Sequence, residues 1–143
     1  THRTCTLSNS VDGKQKTSNR RLLVASDNKE PGSHFIDVQE LAWQPTQFPG
    51  ITMKILWQDD LSESFTGLFR CEAGAQLPLH RHTGIEQTFV LEGSLVDDAG
   101  TCTTGNFVWR ERGSVHAAHS PDGCLLLGIF QKPNEFLDPD AED

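Results

Sequence analysis

The sequence lacks the features that would place the protein in a membrane or on nucleic acid. No apolar run approaches the roughly 18 residues that a membrane-spanning helix needs, and no apolar core of a secretory signal peptide is present. Basic residues are few: 12 Lys and Arg stand against 20 Asp and Glu, which leaves a net charge of -8. Because phosphate binding needs a basic surface, we expect neither nucleic acid nor a membrane as a partner.

Cysteine is also scarce and carries no pairing pattern. The four cysteines, Cys5, Cys71, Cys102 and Cys124, are widely spaced, and none belongs to a C-x-x-C pair. A disulfide framework would need closer and more regular spacing. We therefore predict reduced thiols in a cytoplasmic protein, where such cysteines act mainly as small apolar side chains.

No segment shows a convincing helical period, whereas short strand-like segments are frequent. Gly- and Pro-containing turns separate them, which is typical of a β-sandwich or closed barrel. We predict an all-β protein whose strands lie in the segments "ITMKILWQ", "SFTGLFRCEAG", "LPLHRH", "EQTFVLEGSLVDD", "NFVWRER" and "GCLLLGIFQK". The intervening segments, among them "DDAGTCTTG", are predicted to be loops.

The chain divides into three parts by composition. Residues 1–33 form a polar arm with little periodicity, in which only "RRLLVAS" could pair as an edge strand. Residues 34–137 contain the strand-like segments and form the predicted domain, and residues 138–143 are an acidic tail. We interpret the arm as solvated, because it carries a local excess of basic residues and no core-forming pattern.

One cluster combines residues that are unfavourable in a core. His80 and His82 are two apart in a strand-like segment, so both side chains lie on one face, with their bases about 6.6 Å apart. Glu86 follows a Gly-containing turn that is expected to bring the chain back antiparallel. A third imidazole, His116, follows the turn "RGSV" and begins another strand. These residues could hold one divalent ion and leave two octahedral positions open.

The spacing of these residues resembles the cupin superfamily. The first cupin motif, G-x5-H-x-H-x3-E-x6-G, is completely matched by Gly74, His80, His82, Glu86 and Gly93. In the second motif, G-x5-P-x-G-x2-H-x3-N, the matching residues are Gly105, Gly113 and His116, while Glu111 replaces the proline and Ser120 the asparagine. Neither replacement removes a metal ligand, although losing the proline makes the turn less rigid. The resemblance predicts a cupin jelly roll.

Residues 50–131 are more specifically similar to the single-domain cupins grouped with ChrR-type anti-sigma factors and acetylacetone dioxygenases. This resemblance implies a metal held by His80, His82, Glu86 and His116, the set that the ChrR-type cupin domain uses. Acetylacetone-cleaving enzymes rely on three histidines and lack the glutamate. Glu86 is therefore a departure that puts that particular activity in doubt.

Strand periodicity assigns faces to several further residues. Thr88 and Val90 share the face of Glu86 and are expected to line the cavity. His119 lies on the opposite face from His116 and is interpreted as a rim or surface residue, and His34 as solvated. Arg70 and Cys71 point to opposite faces, and the sequence leaves open which of them faces inward.

The segment "CLLLGIF" is apolar on both faces. A strand of this kind is buried on both sides, either within the sandwich or against a second subunit. We therefore predict a homodimer.

Three classes of function follow. The first is a dioxygenase-type enzyme that binds a small carbonyl substrate, a diketone or hydroxyketone, with Glu86 as the candidate catalytic residue. The second is a non-catalytic zinc sensor of the ChrR type, although residues 1–33 are too short for a sigma-binding domain. The third hypothesis is a metal-dependent isomerase, a lyase or a sugar-binding cupin. The expected cofactor is one divalent ion, Fe(II) or Zn(II), with Mn or Ni as alternatives.

Overall fold

The computed structural model describes residues 30–138 and residue 140. No helix long and apolar enough to cross a membrane occurs among them. They contain no helix of any other kind either, which confirms the all-β prediction. Most of the predicted arm, with "RRLLVAS" and Cys5, and most of the acidic tail lie outside the described residues, so these predictions remain open.

The strands are β1 (Gln44–Pro45), β2 (Ile51–Gln58), β3 (Phe65–Cys71), β4 (Ala75–Arg81), β5 (Glu86–Asp97), β6 (Gly100–Thr103), β7 (Phe107–Arg110), β8 (Val115–Ser120), β9 (Cys124–Phe130) and β10 (Glu135–Phe136).

The strands form a curled sheet in which all neighbours are antiparallel. The order is β1-β2-β3-β9-β5-β8-β4-β10, and β6 and β7 also pair with β5. The first half of β5 pairs with β9 and β7, whereas its second half pairs with β6 and β8. The strand β5 therefore belongs to both layers of the fold and joins them.

A glycine makes this passage between the layers possible. Gly93, in β5, has a φ of +77°, a conformation that other residues rarely adopt. A Cβ at this position would also collide with the backbone carbonyl of Gly123. Just before it, the register with β9 shifts between Val90 and Glu92. This irregularity turns the strand, as bulges commonly do.

The alternation of side chains along β5 follows the prediction. Glu86, Thr88 and Val90 are buried, whereas Phe89 and Leu91 are exposed. The inward face of β9 is likewise buried, through Cys124, Leu126 and Phe130. The site residues on β5 are thus fixed by the same two-residue period that forms the core.

Two local expectations were wrong. The segment "DDAGTCTTG" was predicted to be a loop, but Gly100–Thr103 forms β6, which pairs with the second half of β5. Its Gly- and Thr-rich sequence resembles a turn, and pairing with a neighbouring strand overrides that local preference. In addition, β4 and β5 do not form the expected antiparallel pair, because β4 pairs with β8 and β10. The histidines and Glu86 therefore come from different layers.

The outer face of the layer that contains β5, β7 and β9 is apolar and open to solvent. Phe89, Phe107, Trp109 and Ile129 are 39%, 51%, 54% and 41% exposed, respectively. They lie on paired strands: Phe89 is opposite Phe107, and Gln87 lies between Trp109 and Ile129. A contiguous aromatic and aliphatic surface of this kind is typical of a protein interface.

We predict a homodimer that pairs through this face. Ile129→Asp should place a charge in the interface and convert the dimer to a monomer at micromolar concentration. Sedimentation velocity should then change from twice the 15.9 kDa chain mass to that mass. Leu61→Asp is the matched control, because Leu61 is 95% exposed in a turn outside this face. A parent protein that sediments as a monomer would contradict the prediction.

Candidate metal centre

Three histidines converge inside the fold. His80 and His116 are direct cross-strand partners on β4 and β8, and His82 follows two residues after His80. One ring nitrogen from each of the three lies within 4.8 Å of the others. His80 and His82 are completely buried, at 0% exposure. The predicted histidine triad is thus assembled by the structure.

The other ring nitrogen of each histidine is held by a hydrogen bond. In each ring, Nδ1 contacts a carbonyl or carboxylate oxygen, which can only accept a hydrogen bond. Nδ1 is therefore the protonated nitrogen, and Nε2 carries the lone pair. The contacts are His80 Nδ1 to the Pro78 carbonyl at 2.7 Å, His82 Nδ1 to the Ser114 carbonyl at 3.0 Å and hydroxyl at 2.9 Å, and His116 Nδ1 to Asp97 Oδ2 at 2.7 Å.

These rings meet the chemical requirements of metal ligands. Burial lowers the pKa of His80 and of His116, which favours the neutral imidazole that binds a metal. Nε2 of His80 and Nε2 of His82 are buried and make no hydrogen bond. Buried nitrogens without a partner are costly, and a divalent ion bound between them would provide one. The residues present therefore fit the metal that the cupin resemblance implies.

Glu86 lies beside the triad and is held by several neighbours. Its Oε2 is 3.1 Å from His82 Nε2, although the contact lacks the alignment of a hydrogen bond. The Asn134 amide donates to Oε2 at 3.0 Å, the Thr88 hydroxyl donates to Oε1 at 3.3 Å, and Arg110 Nη1 is 3.6 Å from Oε1. Burial alone would raise the pKa of Glu86, but the hydrogen bond from Asn134 and the charge of Arg110 hold it below its usual range. An ionised carboxylate is thus available next to His82, and its role as a fourth ligand remains a prediction.

A second carboxylate, Asp97, orients His116. Asp97 Oδ2 accepts hydrogen bonds from His116 Nδ1 at 2.7 Å and from Arg110 Nη2 at 3.2 Å. Although burial opposes ionisation, these contacts and the amide of Ala99 lower the pKa of Asp97 to about 2. Carboxylate–histidine pairs of this kind fix the orientation of the ring and raise its basicity toward a metal.

Sequence reasoning missed the residues that support the triad. None of Arg110, Asp97, Ser114 and Asn134 was among the predicted site residues. The face of Arg110 was a usable indication, because it places a guanidinium on the inner side of β7, opposite Glu86. Asn134 lies in the connection between β9 and β10, where no periodicity indicates its direction.

A cavity of about 370 Å³ adjoins the triad through Glu86. Its wall is mainly apolar, and Thr88 lines it as predicted. Val90 is completely buried but is not part of this wall, so that expectation was wrong. The other lining residues include Phe48, Ile51, Phe65, Phe69, Leu77, Leu126, Phe130 and Phe136.

The structure also settles the open choice between Arg70 and Cys71. Cys71 lines the cavity, whereas Arg70 is exposed and its guanidinium lies over the Trp43 ring, 5.0 Å from the centroid. His119 is exposed at the rim of the cavity, and His34 is exposed, as predicted for both.

The chain is similar to known proteins in sequence and in structure. Residues 31–133 match the model of the ChrR cupin-like domain. A candidate acetylacetone dioxygenase from Methylibium petroleiphilum PM1 has a TM-score of 0.72 at 22% identity, over 79% of this chain and 86% of that chain. An acetylacetone dioxygenase from Acinetobacter johnsonii has a TM-score of 0.69 at 22% identity, over 81% and 85%.

A regulatory protein shares the same fold. The complex of SigE with the anti-sigma factor ChrR from Rhodobacter sphaeroides contains a chain with a TM-score of 0.58 at 22% identity, over 65% of this chain and 51% of that chain. The chain matches no curated protein sequence. At these identities the structural matches establish the fold, which is the predicted cupin jelly roll.

We predict that each histidine of the triad is needed for metal retention. His80→Ala, His82→Ala and His116→Ala should each weaken binding of a divalent ion by more than about 100-fold, since losing even an outer-shell partner costs about 10- to 100-fold. Competition with a chromogenic chelator measures the affinity. His119→Ala and His34→Ala are the controls and should bind as the parent does. Equal affinity in His116→Ala and the parent would contradict the assignment.

The hydrogen bond from His116 to Asp97 should also support metal affinity. Asp97→Asn keeps the size of the side chain but removes the charge that polarises His116, so we expect about 10- to 100-fold weaker binding. Asp98→Asn is the matched control, because Asp98 is the exposed neighbour. Isothermal titration with Zn(II) compares the two variants. If both bind zinc as tightly as the parent, Asp97 does not contribute through His116.

Proposed function

The chain belongs to the ChrR cupin-like family, and from this premise we propose that it binds one divalent metal ion and acts as a dioxygenase-type enzyme on a small carbonyl compound. His80, His82 and His116 would hold the ion, with Glu86 as the predicted fourth ligand. When bound, a redox-active ion such as Fe(II) would polarise a substrate carbonyl and allow reaction with O2.

One observation carries this proposal. The inward-facing histidine nitrogens lie next to Glu86, and Glu86 is part of the wall of a mainly apolar cavity of about 370 Å³ that is partly open to solvent. A cavity of this size suits a small molecule. Its apolar wall would receive the carbon skeleton of a diketone or hydroxyketone, while the carbonyl oxygens would point toward Glu86 and the metal.

The residues around Glu86 define what this carboxylate can do. Asn134 and Thr88 donate hydrogen bonds to its two oxygens, and Arg110 lies within ion-pair distance. These three contacts hold the carboxylate ionised and in place. Such restraint suits a metal ligand better than a base that must move toward the substrate. We therefore propose ligation as the main role of Glu86 and regard proton transfer as its secondary role.

A second candidate is a zinc-binding regulatory domain. It is favoured by the family model, which is named for ChrR, and by the similarity to a chain of the SigE–ChrR complex. In this case the same residues would hold Zn(II), which has no redox chemistry of its own. The cavity would then bind an effector or remain a structural feature, without turnover.

We also propose a class of partner and a cellular location for the protein. The excess of acidic residues supports a small molecule rather than nucleic acid as the partner. Cysteines without a framework pattern support a cytoplasmic location.

Metal analysis with oxygen uptake distinguishes the two candidates. Protein purified without added metal is analysed for bound metal, and oxygen consumption is then measured with a panel of β-diketones and hydroxyketones. Iron together with substrate-dependent uptake supports the enzyme. Tightly held zinc without uptake, also after exchange to Fe(II), supports the regulatory domain.

Glu86 provides a sharper test of the enzyme. We predict that the parent cleaves acetylacetone poorly, because the carboxylate occupies a position that a bidentate substrate could use. Glu86→Ala should still bind Fe(II) through three histidines, though more weakly, and should gain diketone cleavage. Oxygen consumption by both proteins, saturated with Fe(II), measures the difference.

The control for this test is Glu92→Ala, since Glu92 is an exposed glutamate on the same strand. It should behave as the parent does. Efficient acetylacetone turnover by the parent that is abolished in Glu86→Ala would show that the carboxylate is required for the reaction and would contradict the prediction.

A further inference from the structure

Two cysteines face each other where β3 ends and β9 begins. Cys71 is the last residue of β3, Cys124 is the first residue of β9, and the two are direct cross-strand partners. Directly opposite residues of an antiparallel pair present their side chains on the same face. The two thiols therefore lie side by side, although both are free.

The backbone geometry at this position suits a disulfide. Directly opposite residues in antiparallel strands have Cα atoms about 4.5 to 5.5 Å apart. A disulfide requires Cα separations of about 4.4 to 6.8 Å. The bond could thus form with rotation of the two side chains and little movement of the strands.

The pair is also accessible to small reagents. Both cysteines line a surface pocket of about 410 Å³, which is separate from the cavity beside the metal centre. Cys71 is partly exposed, and it contributes to the wall of that cavity as well. Cys124 is more deeply placed, at 6% exposure.

The environment of the pair favours a reactive thiolate. Interaction with the neighbouring Cys71 thiol lowers the pKa of Cys124, with a further contribution from Ser120. The same interaction, together with burial, raises the pKa of Cys71. One thiol of the pair is thus ionised more readily than an ordinary cysteine, and the thiolate is the form that reacts with oxidants. Cys102 differs, because burial raises its pKa and it has no such partner among the residues described.

We propose that Cys71 and Cys124 are a redox-reactive pair that forms a reversible disulfide when the protein meets a peroxide. The thiolate of one cysteine attacks the O–O bond of hydrogen peroxide, which gives a sulfenic acid and, after protonation of the leaving hydroxide, one water. The second thiol then attacks the sulfenic sulfur. The S–S bond forms, and a second water is released. Two thiols are oxidised, one peroxide is reduced to two waters, and an external dithiol restores the pair.

The disulfide would modify the wall of the cavity, because Cys71 lines it. It would also fix the end of β3 against the beginning of β9. The proposal does not depend on the identity of the metal or on the reaction that the protein catalyses.

Peptide mapping tests the proposal directly. The full chain is treated with one equivalent of hydrogen peroxide, the remaining thiols are alkylated, and the protein is digested with trypsin. Each of the four cysteines falls in a different tryptic peptide; those with Cys71 and Cys124 are residues 71–81 and 113–143, because cleavage before Pro133 is disfavoured. We expect these two peptides to be cross-linked and to separate after treatment with dithiothreitol. Loss of the free thiols at Cys71 and Cys124 should be at least about tenfold faster than at Cys102.

Single substitutions test whether the cross-link requires the Cys71–Cys124 pair. Cys102→Ser should give the same cross-link as the parent, whereas Cys71→Ser should give none and should be trapped by dimedone as a sulfenic acid at Cys124. Because Cys71 is only partly buried, its substitution is less disruptive than substitution of Cys124. Thermal unfolding confirms that the variant is folded. Alkylated Cys71 and Cys124 after peroxide treatment of the parent, cross-links between different chains, or similar oxidation of all cysteines would each overturn the proposal.

Discussion

The polar interior depends on one cation, the guanidinium of Arg110, which lies between Glu86 and Asp97. Two carboxylates enclosed in one barrel repel each other, and leaving either charge unpaired would be costly. The positive charge of Arg110 stabilises both carboxylates. Through Asp97 it fixes the ring of His116, and through Glu86 it fixes the carboxylate next to His82. The orientation of His116 and Glu86 therefore depends on a residue that faces away from solvent on β7 and is not itself a ligand.

This arrangement divides the interior into two ends. At one end the most deeply buried side chains include His80 and His82, which are polar. At the other end phenylalanines and aliphatic residues form the wall of the cavity. A protein that needed only a stable core would not bury imidazoles, because apolar side chains of similar volume are cheaper to enclose. The buried imidazoles are thus explained by the chemistry of the site. The apolar side chains at the other end are explained by the packing of the strands.

Much of this could be predicted from the sequence, and the reasons differ between residues. The triad was found because His80, His82 and His116 occupy fixed positions of a motif, and the faces of β5 were found because its side chains alternate. The network around the triad was not found, because Asp97 and Arg110 meet through the path of β5 from one layer to the other. No local pattern contains that information. Asn134 and Ser114 act from connections between strands, and β6 was missed because its composition is that of a turn. The pairing of Cys71 with Cys124 likewise depends on a strand register that widely spaced cysteines do not reveal.

The double membership of β5 has a consequence for the order in which the molecule folds. Its first half carries Glu86, its second half carries Asp97, and the partners of both halves come later in the chain. The pairing of β4 with β8 also spans the whole of β5, so the strand pairing that joins His80 to His116 is distant in sequence. Non-local pairings of this kind form slowly and late. An ion that enters the site would therefore meet an almost completed barrel. Its binding energy would act mainly by slowing the opening of the two layers and would do little to speed their assembly.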